Sequence, residues 1–166
     1  GLLEALAQAG AHLEWHDVSE QAGEPTSTLR VYPQPLGAMS IRGALVPRLI
    51  DEVPILALLA TQAHGISEIR DAAELRVKES DRIETIATEL RKMGAQIEPL
   101  PDGLRVQGFT PLHGAEVQSH GDHRIAMTLA VAGLIAHGET VIHDVECVQT
   151  SFPEFEQLLK ELVEYT

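Results

Sequence analysis

A chain of 166 residues can bury roughly 70% of its unfolded surface without disulfides or a structural metal, and its single cysteine, Cys147, excludes an intrachain disulfide. Twelve Lys and Arg against 25 Asp and Glu leave a formal charge of −13, which opposes non-specific attraction to nucleic acid or anionic lipid, so any bound anion must be held by a local basic cluster. The longest uncharged apolar run, Ile55 to Ala60, falls far short of the ~20 residues that span a bilayer; with a lone thiol and no charged-then-apolar leader, a soluble α/β protein of a reducing cytoplasm is expected.

Leu2, Leu3 and Leu6 lie on one helical face with Gly10 as the stop, so the chain opens inside a helical pattern, without methionine, as a piece of a longer protein would. Strands are predicted over Ala11 to Val18 and Pro25 to Val31, and a further one around Met39 to Ala44. From Asp51 to Ala63 the pattern is apolar nearly all round, predicting a buried helix that ends at Gly65, and the strand Ile66 to Asp71 follows. A second helix is expected from about Lys78 to Met93, then a hairpin of Gln96 to Leu100 and Leu104 to Gln107 turning on Pro101-Asp102-Gly103. Next come a short strand Val117 to Ser119, a small-residue helix Asp122 to His137, a strand Thr140 to Asp144 and a last helix Ser151 to Val163.

The order repeats. Ala57, Ala60, Ala63, His64, Gly65, Ile69 and Asp71 match Ala130, Gly133, Ala136, His137, Gly138, Ile142 and Asp144 at a constant offset of 73, and Leu6 to Glu14 matches Leu90 to Glu98 at an offset of 84. The unit reads strand, helix, strand, helix, hairpin, with the tail of one repeat over 1–44, a repeat over 45–114 and a final repeat over 115–166. Inner helices rich in Ala and Gly suit close packing against one another, with the sheets outside.

Chemistry concentrates at helix starts. Glu74-Leu75-Arg76-Val77-Lys78-Glu79-Ser80-Asp81-Arg82 puts three cations and three carboxylates in nine residues, and in a helix begun near Lys78 that residue and Arg82 share a face. Cations oppose the macrodipole there, so they mark either an anionic ligand or a solvated helix start paired with Glu79, Asp81 and Glu84. Ser119-His120-Gly121-Asp122-His123-Arg124 precedes another helix, with Asp122 as a natural N-cap and Arg124 in the first turn. Asp51 is either an N-cap or a carboxylate among cations, able to act as a general base with Glu79 as its acid or base counterpart. Thr150-Ser151-Phe152-Pro153-Glu154 reads as a capping box, and Cys147 as a small buried residue. The eight histidines lack metal-ligand spacing, and P-loop, GxGxxG and GxSxG motifs are missing, so no metal and no organic cofactor are expected.

The run from Glu74 to Arg82 together with Gly121-Asp122-His123-Arg124-Ile125-Ala126-Met127 closely resembles the two signatures of the enolpyruvylshikimate-phosphate synthases. Arg70-Asp71-Ala72-Ala73, Glu89-Leu90-Arg91-Lys92-Met93-Gly94-Ala95 and Ser151-Phe152-Pro153 also fit, so the resemblance covers essentially the whole chain. It implies an enolpyruvyl transferase-like fold, repeats with parallel inner helices and outer sheets, in which two domains of three repeats close on their substrates; this chain corresponds to part of one domain. The implied reaction moves the enolpyruvyl group of phosphoenolpyruvate to the 5-hydroxyl of shikimate 3-phosphate with release of phosphate, in aromatic amino-acid biosynthesis. By that resemblance the catalytic residues are Asp51, which takes the hydroxyl proton, Glu79, which protonates the methylene carbon of phosphoenolpyruvate, and Lys78, which contacts the reacting oxygens. Arg82, Arg124 and His123 bind phosphoenolpyruvate; Asp51, Lys78 and Glu74 face shikimate 3-phosphate. Thr150 stands where some members carry a phosphoenolpyruvate-contacting lysine, and Glu74 where some carry an asparagine. Residues that hold shikimate phosphate from the N-terminal domain lie outside this sequence, so the piece alone is expected to be inactive and to self-associate. The rival expectation is a non-catalytic anion-binding or assembly fragment.

Overall fold

The computed structural model describes residues 1–163, and its elements follow the expected order. Helix α1 (Leu2–Gln8) leads into the hairpin β1 (His12–Gln21) and β2 (Glu24–Tyr32), a separate two-stranded ribbon with a register shift between His16 and Ser19. The strand expected around Met39 to Ala44 shrinks to β3 (Ser40–Ile41), because Gly43 turns the chain into a 3₁₀ helix that runs to Arg48. Helix α2 (Val53–Gln62), β4 (Ile66–Ile69), α3 (Arg82–Lys92), β5 (Gln96–Leu100) and β6 (Gly103–Gln107) complete one unit. Its four strands lie in the order β3-β4-β6-β5, parallel at β3-β4 and antiparallel elsewhere. The chain then repeats the first half of that unit: β7 (Glu116–Gln118), α4 (His123–Ile135) and β8 (Val141–His143), with β7 and β8 parallel.

Equivalent positions have equivalent geometry. Gly65 and Gly138 both adopt left-handed φ, +101° and +96°, where the chain leaves an inner helix for a strand, and Asp71 and Asp144 both sit at +59° at the far end of that strand. Isolated parallel bridges Gly37–His64 and His113–His137 recur at the same offset of 73 in their second members. Arg124 in the first turn of α4 donates to the Asp51 carbonyl just ahead of α2, and Leu59 with Gln62 near the end of α2 lines one groove with Ile135 at the end of α4, so the two helices run the same way.

The core lies between the four-stranded sheet and the helices. Ile97, Leu104 and Val106 point inward while Glu98 and Arg105 pair outside at 3.4 Å, the period-two alternation of a half-buried sheet. Against it α3 presents Ile83, Ile86 and Leu90, with Met93 just past its end, all fully buried, each such side chain contributing ~1.5–3 kcal/mol. Helix α2, with Leu56, Ala57 and Ala60 buried, packs against β6 and beside both α3 and α4, whose Leu129 and Ala132 are buried in the same core. A groove lined by Leu2, Leu6, Ile55, Leu59, Val131 and Ile135 stays uncovered. Among the described residues no helix is long and apolar enough to cross a membrane.

Two expected elements change at the C-terminal end. The last helix is broken into α5 (Val148–Ser151) and α6 (Phe155–Leu162), because Pro153 cannot continue a helix through Ser151. Ser151 therefore closes one helix instead of capping the next, and Glu154, the N-cap of α6, makes no side-chain capping bond, so the capping box does not form. Cys147 is only partly buried, its thiol 3.4 Å from the Asp144 carbonyl.

Candidate active site

The helix expected from Lys78 begins at Arg82. Ala73–Val77 form a 3₁₀ turn, Lys78 is extended, and Asp81 caps α3 by accepting from the Glu84 N–H at 3.1 Å. Lys78 and Arg82 thus do not share a helical face; they meet instead at the Asp51 carboxylate. Lys78 Nζ lies 3.9 Å from Asp51 Oδ1 and Arg82 Nη1 donates to the same oxygen at 2.9 Å. Asp51 sits in a 3₁₀ turn ahead of α2 and makes no side-chain capping bond, so of its two predicted roles the carboxylate among cations is the one formed.

Arg82 is the centre of the cluster, with its side chain 1% exposed. Its Nε donates to Asp122 Oδ2 at 2.7 Å, Nη1 to Asp51, and Nη2 to Glu79 Oε2 at 2.6 Å. Burial opposes its charge, but Asp122, Glu79 and Asp51 outweigh that and raise its pKa. Asp122 has no exposed surface; burial disfavours its charged form, yet Arg82, the Arg124 N–H and the Ser80 hydroxyl hold its carboxyl below the ordinary aspartate value. Asp122 caps α4 as expected, accepting from the Arg124 N–H at 2.9 Å, and also pairs with the buried Arg82 guanidinium. The second role carries no signal in the sequence beyond the aspartate itself.

Arg124 approaches from α4, its Nη1 donating to the Asp51 carbonyl at 3.0 Å and its Nη2 lying 3.7 Å from Asp51 Oδ2. Asp51 and Arg124 are themselves 73 residues apart, equivalent positions of two repeats that carry opposite charge and face each other. Glu74 accepts from Lys78 Nζ at 2.7 Å, which raises the lysine pKa. His123, in the first turn of α4, makes no hydrogen bond or ion pair with the cluster among the described residues, and Thr150 lies in α5. Among those residues no group of three or more His, Cys, Asp and Glu could hold a metal ion.

The result is a shallow centre where Asp51, Lys78, Glu79, Arg82 and Arg124 converge from the starts of three helices and the loop before α3. Lys78, Arg82 and Arg124 face Asp51, Glu52, Glu74, Glu79 and Asp122, so every cation is already paired and the acids outnumber the cations by two. Asp122 holds the buried edge of Arg82, while the partly exposed Asp51 and Glu79 occupy its outer fork. An anionic ligand with the same forked geometry could replace them there, and the released carboxylates could then take or give a proton.

Comparison with known proteins places the chain in a family. The family model for EPSP synthase (3-phosphoshikimate 1-carboxyvinyltransferase) matches residues 1–159. A 3-phosphoshikimate 1-carboxyvinyltransferase of Desulforamulus reducens is 50% identical over 163 residues, 98% of this chain and 38% of the relative. One from Gloeobacter violaceus is 54% identical over 155 residues, 93% of this chain and 36% of the relative. The 2.37 Å structure of EPSP synthase from Acinetobacter baumannii superimposes with a TM-score of 0.91 at 39% identity, covering 96% of this chain and 38% of that one. The enolpyruvyl transferase NikO from Streptomyces tendae shares the fold alone, at a TM-score of 0.75 and 23% identity. The chain thus spans little more than a third of the length of the relatives it matches, and it belongs to the EPSP synthase family.

Proposed function

We propose that this chain forms one half of the active site of an enzyme that transfers the enolpyruvyl group of phosphoenolpyruvate to the 5-hydroxyl of shikimate 3-phosphate. The observation that carries the reading is the convergence of Asp51, Lys78, Glu79, Arg82 and Arg124 at the start of three helices. The phosphate and carboxylate of phosphoenolpyruvate take the outer fork of Arg82 and the Arg124 guanidinium, with His123 beside them; Lys78 and Glu74 face shikimate 3-phosphate. Asp51 accepts the proton of the 5-hydroxyl as its oxygen bonds to C2 of phosphoenolpyruvate, and Glu79 delivers a proton to C3, giving a tetrahedral adduct. Cleavage of the C2–O bond to phosphate and loss of a proton from the methyl carbon restore the double bond. Atoms balance: one enol ether and one inorganic phosphate leave.

The division into a repeat tail (1–44), a repeat (45–114) and a final repeat (115–166) belongs to the same proposal, as does a partner domain supplied by the remainder of a longer protein. Without that domain the chain binds anions weakly and does not turn over, since its substrates lose contacts worth ~1.5–3 kcal/mol each and water is not excluded. Its uncovered apolar groove favours self-association.

The test is Glu79→Gln in the full-length protein that carries this segment. The amide keeps the shape but has no transferable proton and competes poorly for Arg82, so phosphate release falls by ~10²–10⁴-fold while phosphoenolpyruvate affinity holds or improves. Unchanged turnover would remove Glu79 from the mechanism. Failure of the wild-type protein to release phosphate with both substrates would remove the reading altogether.

A further inference from the structure

A second buried carboxylate, outside the converged centre, lies two turns along α3 from Arg82. Glu89 is 1% exposed, and seven residues at 1.5 Å rise put it about 10.5 Å from Arg82 on the same stripe of the helix. It accepts from the Gln118 N–H at 2.9 Å, from His120 Nε2 at 3.0 Å and from Lys92 Nζ at 2.7 Å. Burial opposes its charge, yet the His120, Lys92 and Gln118 donors hold its carboxyl below the ordinary glutamate value.

All but Lys92 belong to the segment that ends in Asp122. That segment is therefore fastened to α3 twice with opposite polarity: a buried acid on the helix grips residues 118 and 120, and a buried base on the helix grips residue 122. Between the two fastenings the backbone is left-handed at both His120 (φ +56°) and Gly121 (φ +73°). A non-glycine residue in that region costs of order 1 kcal/mol and persists only where its surroundings over-determine it. Ser119 adds a third tie, its hydroxyl donating to the Asp144 carbonyl and accepting from the Gly121 N–H.

We infer that Glu89, acting through His120 and the Gln118 amide, is a positioning residue that fixes the 119–122 turn and with it the Asp122 carboxylate, the Arg82 guanidinium and the start of α4 that carries Arg124. The inference rests on the reading of Arg82 and Arg124 as the anion-binding groups. Glu89 touches neither substrate; it sets the angle at which Asp122 presents its oxygens to Arg82, and so the direction of the fork that faces outward.

The test uses the 166-residue chain labelled with ¹⁵N. The Arg82 Nε–H, buried against Asp122, gives a slowly exchanging guanidinium resonance, which Glu89→Ala shifts and opens to exchange. Glu89→Gln retains it, since the amide oxygen accepts from Gln118 and the amide N–H₂ donates to His120 in its other tautomer. Leu104→Ala, a core truncation far from the turn, lowers the melting temperature but leaves the resonance in place. Titration with phosphoenolpyruvate and with inorganic phosphate shows affinity lowered by about tenfold in Glu89→Ala and restored in Glu89→Gln, the scale on which supporting contacts act at a bound centre. If Glu89→Ala does not fold, His120→Ala, at a partly exposed site, gives the same direction of change. A Glu89→Ala chain that melts earlier but keeps the Arg82 resonance and the anion affinity overturns the inference. A wild-type chain that binds neither anion counts against the functional reading, while the Arg82 resonance still decides the positioning role.

Discussion

The starts of α3 and α4 each carry one arginine of the candidate active site, and the two arginines live differently. Arg82 is buried and spends every edge of its guanidinium on a carboxylate of the same chain. Arg124 is one-third exposed, makes one short bond to a backbone carbonyl and reaches carboxylates only at 3.7 Å. A buried cation must be satisfied before any ligand arrives, because an uncompensated charge in the interior costs several kcal/mol. On the proposed function, Arg82 is therefore a structural member whose outer fork is lent to the ligand, whereas Arg124 is held ready near the surface. Removing either charge should reveal that division.

The sharpest way to break the comparison is Asp122→Ala, which strands the Arg82 guanidinium in the interior. It should cost ~3–5 kcal/mol of stability in urea unfolding, and a loss below ~1 kcal/mol would mean that Arg82 finds water or another acid. Acid offers a milder probe of the same pair. The folded Asp122 pKa is depressed, so its contribution is complete above the unfolded aspartate value of ~3.9 and disappears as pH falls through the lower folded value. Stability measured from pH 6 downward should hold until near pH 4 and then fall, and the fall below pH 4 should be much shallower in Asp122→Asn.

Arg124→Ala should reverse the balance. It should weaken phosphoenolpyruvate binding in the full-length protein by roughly 10–100-fold, the loss of a charge-assisted contact of ~1.5–3 kcal/mol, with little change in the melting temperature. Equal damage to stability and binding would erase the distinction between the two arginines. The smallest effect belongs to the exposed Glu98–Arg105 pair on the outer face of the sheet, where Glu98→Gln should cost at most ~0.5 kcal/mol.

The scaffold of these sites was legible wherever periodicity and chain stops agreed. The inner helices end where Gly65 and Gly138 take left-handed φ, and the hairpin turns beside Gly103 as expected. The start of α3 lies four residues beyond the one the 78–82 charge run predicts, because the helix begins where Asp81 accepts from the Glu84 N–H and not where the cations cluster. The same spacing at Ser151 and Glu154 forms no cap, since Ser151 ends α5 and α6 begins only beyond Pro153. Glu89 is hidden for another reason: a glutamate in a helix that also carries Glu84, Arg91 and Lys92 looks solvent-facing, and only β7 and the following turn, folded over it, make it interior. Charge motifs reveal which residues gather, but the tertiary partner decides which of them are buried.

The β1–β2 ribbon offers a last consequence. Its strands are hydrogen-bonded like those of the main sheet, yet none of its residues is buried, and the register slips between His16 and Ser19. Backbone bonds alone hold a two-stranded ribbon only marginally. Its amide protons should exchange with deuterated solvent through local opening, at a free energy near zero, while those of β4 and β6 wait for global unfolding. Antiparallel pairs of the same kind, β1–β2 and β4–β6, thus hold hydrogen bonds of very different persistence, and time in heavy water would separate them.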